Sequence, residues 1–189
     1  MKRIVILGVA LVVSFSLVAV DAISVSASGD EFVASKTGKV KSKSTNNQRF
    51  KTSAGTIECT EVSGGSEVTE LKSVTHKEIL TFGGCTGFGG NITISAADLE
   101  LNANGSAKLE KRVTIKPENA GCSVLIEPQA LEGVNYTNAS GGKVTVELNM
   151  GKIHSKGTGG ACGSSENTEG SYTGKITSEL ESGSIEWVS

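Results

Sequence analysis

Val144, Val146, Leu148 and Met150 alternate without a break with Thr145, Glu147 and Asn149, the period of two expected of a strand with one buried face. The same alternation recurs in shorter pieces. Val74, His76, Glu78, Leu80 and Phe82 share one face of the segment 68–82. A helix through Leu71, Val74 and Ile79 fits that segment too, but Thr75, Thr81 and the glycines beyond favour a strand. Cys122, Val124 and Ile126 fall on one face that ends at Pro128, and Val134 and Tyr136 begin another strand. Residues 172–180 and 184–188 read as closing strands around Gly183. Nearer the start, Phe32-Val33, Val40, Phe50 and Thr56-Ile57-Glu58-Cys59 are strand-like, with turns expected at Gly38, Gly55 and Ser63-Gly64-Gly65.

The pattern turns on Leu80-Thr-Phe-Gly-Gly-Cys85-Thr-Gly-Phe-Gly-Gly90, where an apolar run stops at a glycine-flanked cysteine and strand-like sequence then resumes. Its glycines suit positive φ and close backbone approach, so the 83–90 cluster reads as a turn and not as a phosphate cradle. After Asn91-Ile-Thr-Ile-Ser, the clearest hairpin joins Leu99 and Leu101 to Leu109 across Asn104-Gly105; Val113 and Ile115 follow. A two-residue turn there would oppose Leu101 to Lys108. A three-residue loop of Ala103, Asn104 and left-handed Gly105 instead faces Leu101 with Ala107 and Leu99 with Leu109, which keeps the apolar residues on one side.

A weak repeat runs through the chain. Cys59, Ser63-Gly64-Gly65, His76 and Gly83-Gly84-Cys85 occur in the same order as Cys122, Ser140-Gly141-Gly142, His154 and Gly159-Gly160-Ala161-Cys162. No long amphipathic helix and no dividing linker interrupt the pattern. The fold class expected is all-β: an antiparallel β-sandwich or partly closed barrel of short strands with two disulfides.

Composition agrees with that class. The 189 residues hold 24 glycines, only 2 prolines and few aromatics, which fits many strands joined by tight turns over a thin core of Val, Ile, Leu and Ala. At the N-terminus, basic Lys2-Arg3 precedes an apolar run over residues 4–20, the pattern of a secretory signal. Cleavage is expected after Ala22, with Ala27 and retention of the segment as the alternatives. The run falls short of the roughly 20 residues that span a bilayer comfortably. Residues 1–22 are thus read as a signal peptide and 23–189 as one all-β domain, secreted or at the cell surface. Losing Lys2, Arg3 and Asp21 leaves 16 of the 18 basic and 19 of the 20 acidic residues, a net charge of about −3. Basic residues concentrate over 36–51, at Lys36, Lys39, Lys41, Lys43, Arg49 and Lys51. They read as a lysine-protected edge strand, with a contact to an anionic cell-wall polymer as the alternative.

Gly55-Thr-Ile-Glu-Cys59, Phe82-Gly-Gly-Cys85-Thr-Gly-Phe88-Gly89, Ala120-Gly-Cys122-Ser-Val-Leu-Ile-Glu-Pro-Gln129 and Gly170-Ser-Tyr-Thr-Gly174 resemble motifs of a large group of secreted proteins from soil actinobacteria. The likeness covers most of residues 23–189. Many members carry two more cysteines where this chain has residues 99–113, which suits loss of one disulfide. The group has no established activity, so the resemblance implies export and β structure and transfers no site.

Four cysteines in an exported chain allow three pairings. Cys59 with Cys85 and Cys122 with Cys162 is expected, because each half of the repeat then closes on itself. A zinc site is disfavoured, since no C-x-x-C spacing is present and thiolate zinc sites are mostly intracellular. His76 and His154 hold similar places in the repeat and read as structural, with only Asp30 and Asp98 beyond residue 22 to complete a triad. No G-x-S-x-G elbow, H-E-x-x-H pair or GK[ST] loop occurs. Glu58 with Glu61, and Glu67 with Glu70, are the carboxylate pairs a glycosidase would need across a cleft. Phe88, Tyr136, Tyr172 and Trp187 are the aromatics a sugar site would need.

The expectation is an exported, non-enzymatic protein with a binding or structural role. A carbohydrate-binding module and a secreted hydrolase with a dispersed acid–base site are the alternatives. No catalytic, cofactor-binding or metal residue is assigned. The partner is unknown from sequence, with a cell-wall polymer or another surface protein as the candidates; nucleic acid is not expected, and membrane contact is expected only through the signal segment before cleavage.

Overall fold

The computed structural model describes residues 29–118, 120–164 and 166–189. The expected signal segment 1–22, with its cleavage points Ala22 and Ala27, lies outside the described residues. Sixteen strands occur among the described residues. The first six are β1 (Glu31–Ala34), β2 (Gly38–Ser44), β3 (Gln48–Thr52), β4 (Gly55–Val68), β5 (Lys72–Ser73) and β6 (Thr75–Gly87). Next come β7 (Gly90–Ile94), β8 (Ala97–Asn102), β9 (Ser106–Leu109), β10 (Val113–Pro117) and β11 (Val124–Ile126). The last five are β12 (Gln129–Glu132), β13 (Val134–Ala139), β14 (Lys143–Gly157), β15 (Glu166–Leu180) and β16 (Ile185–Val188). The only helical piece described is a single turn at Gly160–Cys162. The fold is all-β, antiparallel and sandwich-like, as the alternation predicts.

Strand length departs from expectation. β4, β6, β14 and β15 run for 14, 13, 15 and 15 residues. At about 3.3 Å per residue the longest reach roughly 50 Å; β14 and β15 cover each other from end to end, and shorter partners take turns along the other edges of the long strands. β6 pairs with β8 over its first half and with β4 over its second. β14 pairs with β13 first and β11 last, and β15 with β3 first and β2 last. Hydrogen-bonded neighbours thereby run round a closed circuit, β4–β6–β7–β10–β11–β14–β15–β2 and back to β4. A separate three-stranded sheet, β16–β1–β5, lies beside it.

Inward positions of the alternating strands form one core. Ile57, Ile115 and Ile176 are fully buried, and each such side chain contributes about 1.5–3 kcal/mol of transfer free energy. Where the ladder is interrupted, side chains take over its hydrogen bonds. The Gln129 amide accepts from the His154 N–H (2.9 Å) and donates to the His154 carbonyl (3.0 Å), tying β12 to β14. Asn138 does the same for Trp187, fastening β16 to β13.

The expected hairpin is present in the three-residue form: Leu99 opposes Leu109, Leu101 opposes Ala107, and Gly105 has a φ of 87°. Several other expectations are corrected. Ser63-Gly64-Gly65 is no turn but the middle of β4, because Glu78 and Leu80 press on Gly64 and leave no room for a side chain there. Likewise β6 continues through Cys85 to Gly87, and the turn shrinks to Phe88-Gly89, both left-handed, with φ of 51° and 81°. The Phe88 ring lies over Gly55, where a Cβ would come within 3.2 Å. Val74 falls outside β6 and is exposed. The lysine-rich β2 is not an edge strand, since it pairs with both β15 and β4.

The repeat does not carry into structure. Ser140-Gly141-Gly142 is a turn with positive φ at both glycines, whereas Ser63-Gly64-Gly65 is extended. His76 is buried and His154 exposed.

Candidate functional site

All four cysteines are paired as expected, Cys59 with Cys85 and Cys122 with Cys162. Cys59 on β4 stands directly opposite Cys85 on β6, so the ladder register itself brings the sulfurs together. The second bridge ties the approach to β11 to the helical turn after β14. On the chain-entropy account each loop closure is worth about 3.5–4 kcal/mol.

A cavity opens where β4 and β6 part company. Their register runs from Ile57↔Gly87 to Gly65↔Ile79 and stops. Beyond it β4 stays with β2 as far as Val68↔Gly38, and β6 stays with β8 as far as Thr75↔Asn102. The glycine at 64 allows close approach, and beyond Gly65 the Ser66 side chain still reaches His76 on β6 as the ladder ends. The space left is about 430 Å³. Glu67, Thr69 and Glu70 line one side, Thr75, His76 and Lys77 the other, and Phe32 and Ile185 form an apolar wall.

Behind this cavity lies a buried polar set. His76 Nε2 is 3.0 Å from Ser66 Oγ and 3.3 Å from Glu78 Oε2, and its ring is tilted against Phe32. Glu78 is completely buried, and neither carboxylate oxygen has a hydrogen bond. Both contacts fall on one ring nitrogen. A Ser–His–carboxylate relay instead needs the acid on the nitrogen opposite the hydroxyl, so this geometry does not activate Ser66 as a nucleophile. What it does is hold a histidine at a cavity wall with its Nε2 already engaged. A buried polar group left without a hydrogen bond costs about 1–3 kcal/mol, so this set opposes stability in a core that is otherwise apolar.

Other residues weighed from sequence are dispersed. His154 lies on β14, which does not pair with β6, so the two histidines form no common site. Asp98 is ion-paired with Lys111 at 2.6 Å and Glu58 with Arg49 at 3.1 Å. Glu67 and Glu70 are the one carboxylate pair that shares a cavity with a histidine. Tyr136 and Tyr172 are buried, Phe88 and Trp187 half-buried. The Tyr136 hydroxyl donates to the Asn102 carbonyl and the Trp187 indole to the Ala103 carbonyl, so these aromatics form no exposed row. Burial pushes both tyrosine hydroxyls well above their ordinary range. Among the described residues no group of three or more His, Cys, Asp and Glu side chains is placed to hold a metal ion.

On the outer face, Lys41 and Lys43 of β2 border an open groove with Lys143, Glu61 and Glu179. Lys41 is neutralised by Glu181 and Lys143 by Glu179. Hydrogen bonds from these lysines hold the Glu181 and Glu179 carboxyls below the usual range. The sequence run over 36–51 therefore becomes a face of mixed charge. Ser66, Thr69 and Lys77 are site residues that the sequence pattern did not name, and Glu78 was named only as a strand position. The signal for Glu78 was present, since it shares the apolar face of β6 with Leu80; Ser66 carried none.

Among the described residues no helix is long and apolar enough to cross a membrane. No protein family, curated protein or solved structure matches this chain.

Proposed function

We propose that this chain is an exported, non-enzymatic protein of the cell surface or surrounding medium, and that it acts by binding at the cavity between β4 and β6. The observation that carries this reading is the broken register. Two long strands that pair for eight residue pairs separate at Gly65↔Ile79 and leave a cavity walled by polar side chains and backed by a buried, unbonded Glu78. A fold optimised for stability alone would zip the strands and fill that place with apolar residues. Export is supported by the signal-type start, the resemblance to secreted actinobacterial proteins and the two disulfides, which persist in oxidising compartments.

The test pairs two measurements on the purified, oxidised protein. Ester, glycoside and peptide substrates are screened for turnover, and backbone amide shifts are mapped by NMR against cell-wall polymers, oligosaccharides and peptides. The expected result is no turnover, with shifts clustered at residues 66–70 and 75–78. Turnover that His76→Ala abolishes while the fold survives would replace this reading with the hydrolase, whose acid–base groups would be Glu67, Glu70 and His76.

A further inference from the structure

We infer that the cavity between β4 and β6 is gated: its walls are the two arms of one hairpin, whose ladder zips onward from Gly65↔Ile79 and closes the site. That this gates a binding site rests on the reading above; the zipping itself does not. Every pair of β4 and β6 keeps one register from Ile57↔Gly87 to Gly65↔Ile79. Continued unchanged, that register sets Ser66 opposite Glu78, Glu67 opposite Lys77, Val68 opposite His76 and Thr69 opposite Thr75. The pairs match. Glu67 and Lys77 are exposed and opposite in charge, and Val68 and His76 are both buried. Ser66 would bring a donor to the buried Glu78 carboxylate, which has no hydrogen bond in the open form. A shift of one residue would set buried positions against exposed ones, so the match belongs to this register.

The neighbouring strands agree with it. Lys77 stands opposite Glu100 on β8, and Glu67 opposite Lys39 on β2. Closing would therefore line up Glu100, Lys77, Glu67 and Lys39 as one row of alternating sign across four strands, which favours pairing. The backbone is in phase as well, since alternate residues of an antiparallel ladder turn their N–H and C=O to opposite sides. The Ala103 N–H donates to the Val74 carbonyl at 2.9 Å, which assigns His76 and Glu78 to β8 and turns Thr75 and Lys77 towards β4. The Glu181 N–H donates to the Lys39 carbonyl at 2.8 Å, which assigns Ser66 and Val68 to β2 and turns Glu67 towards β6. Glu67 and Lys77 thus aim at each other the groups that a hydrogen-bonded pair exchanges.

The latch is β5. The Ala34 N–H donates to the Leu71 carbonyl at 2.8 Å, and Phe32 and Val33 pair with Ser73 and Lys72, so β1 holds the far end of the hairpin open. The hold is short, because β5 has two residues. Once it loosens, residues 70–74 form a five-residue loop between Thr69 and Thr75, a usual hairpin length. Ser66 Oγ already spans the gap to His76 Nε2 at 3.0 Å, and the two are diagonal neighbours in the closed register. A ligand that fills the cavity binds only the open form and shifts the population towards it.

The first experiment needs no ligand. Relaxation dispersion on the oxidised protein should show microsecond-to-millisecond exchange at the amides of residues 66–69 and 75–78. Glu67→Lys sets like charges across the gap and should cut that exchange about threefold or more, while Glu58→Gln, on the same strand outside the gap, should leave it unchanged. The double variant Glu67→Cys, Lys77→Cys places two thiols face to face in the closed register, and mild oxidation should add a third disulfide. Flat dispersion, exchange indifferent to Glu67→Lys, or two thiols still free after oxidation overturns the zipping. The second experiment repeats the probe screen above on the double variant, whose oxidised form should lose the shifts that its reduced form shows. Equal shifts in both forms overturn the gate. If the exchange is present and no probe shifts those amides in the native protein, the binding reading falls with its gate and the two-state hairpin alone stands.

Discussion

Tyr172 and Gln48, 124 positions apart, meet in the core: the tyrosine hydroxyl donates to Gln48 Oε1 at 2.6 Å. Gln48 is fully buried, and its amide nitrogen reaches the carbonyls of Asn46 and Lys175. Gly174 makes room, since any side chain there would collide with the Gln48 amide. Tyr172 and Gly174 thus form a niche for one glutamine. Tyr172→Phe leaves Gln48 Oε1 buried without a donor and should cost about 1–3 kcal/mol in denaturant unfolding. A loss below a few tenths would show that the bond is dispensable.

Both tyrosines of the chain, Tyr136 and Tyr172, are buried, and desolvation raises both hydroxyl pKa values. A raised folded-state pKa means the stability from keeping the hydroxyl neutral is complete below the unfolded value of about 10 and declines as pH rises above it. Absorbance at 295 nm should therefore show no tyrosinate until the protein unfolds, with both tyrosines then titrating in one cooperative step. A separate non-cooperative titration near pH 10 would contradict the burial of at least one ring.

The Gln129 amide stands in for a missing strand partner of His154. Gln129→Ala removes three hydrogen bonds at a half-exposed site, two to His154 and one to the Glu127 carbonyl, so the loss should be about 1–2 kcal/mol. Hydrogen exchange at the His154 amide should quicken selectively while the other β14 amides stay protected. Uniform loss of protection along β14 would mean that Gln129 holds the whole strand and not one bond.

Gly64→Ala tests why β4 is continuous. A Cβ there would come within 2.5 Å of Glu78 Oε1 and 2.8 Å of the Ile79 carbonyl, and backbone cannot yield, so we expect about 1–3 kcal/mol of destabilisation. Gly90→Ala, at a position open to solvent without a positive φ, should be nearly silent in the same melting experiment.

Glu78→Leu removes a buried carboxylate that makes no hydrogen bond, while His76 keeps its contact with Ser66. The variant should be more stable than the parent by about 1–3 kcal/mol. A thermal melt showing clear destabilisation would establish that the His76–Glu78 contact is net favourable, and would remove the argument that this polar set is kept at a cost.

The sequence by itself determined the class of fold and the hairpin register, and both rest on short-range information. The cysteine pairing came out as expected although the repeat that suggested it does not persist in the fold. Alternation with a period of two says which face of a strand is buried, and the apolar residues flanking Asn104-Gly105 tolerate only one register. The placing of His76 and Glu78 on one buried face was equally legible, because it follows from spacing alone. Tertiary structure decided how far each strand runs and what it pairs with. Glycines at 64 and 65 look like a turn in sequence and are extended in the fold, because packing by Glu78 and Leu80 gives a missing side chain a second use. The lysines of β2 look like an edge until β15 and β4 flank them. The cavity was invisible for the same reason: it exists only because β4 and β6 stop pairing at Gly65↔Ile79, and where two strands separate depends on their other partners, β2 and β8, which no local pattern names.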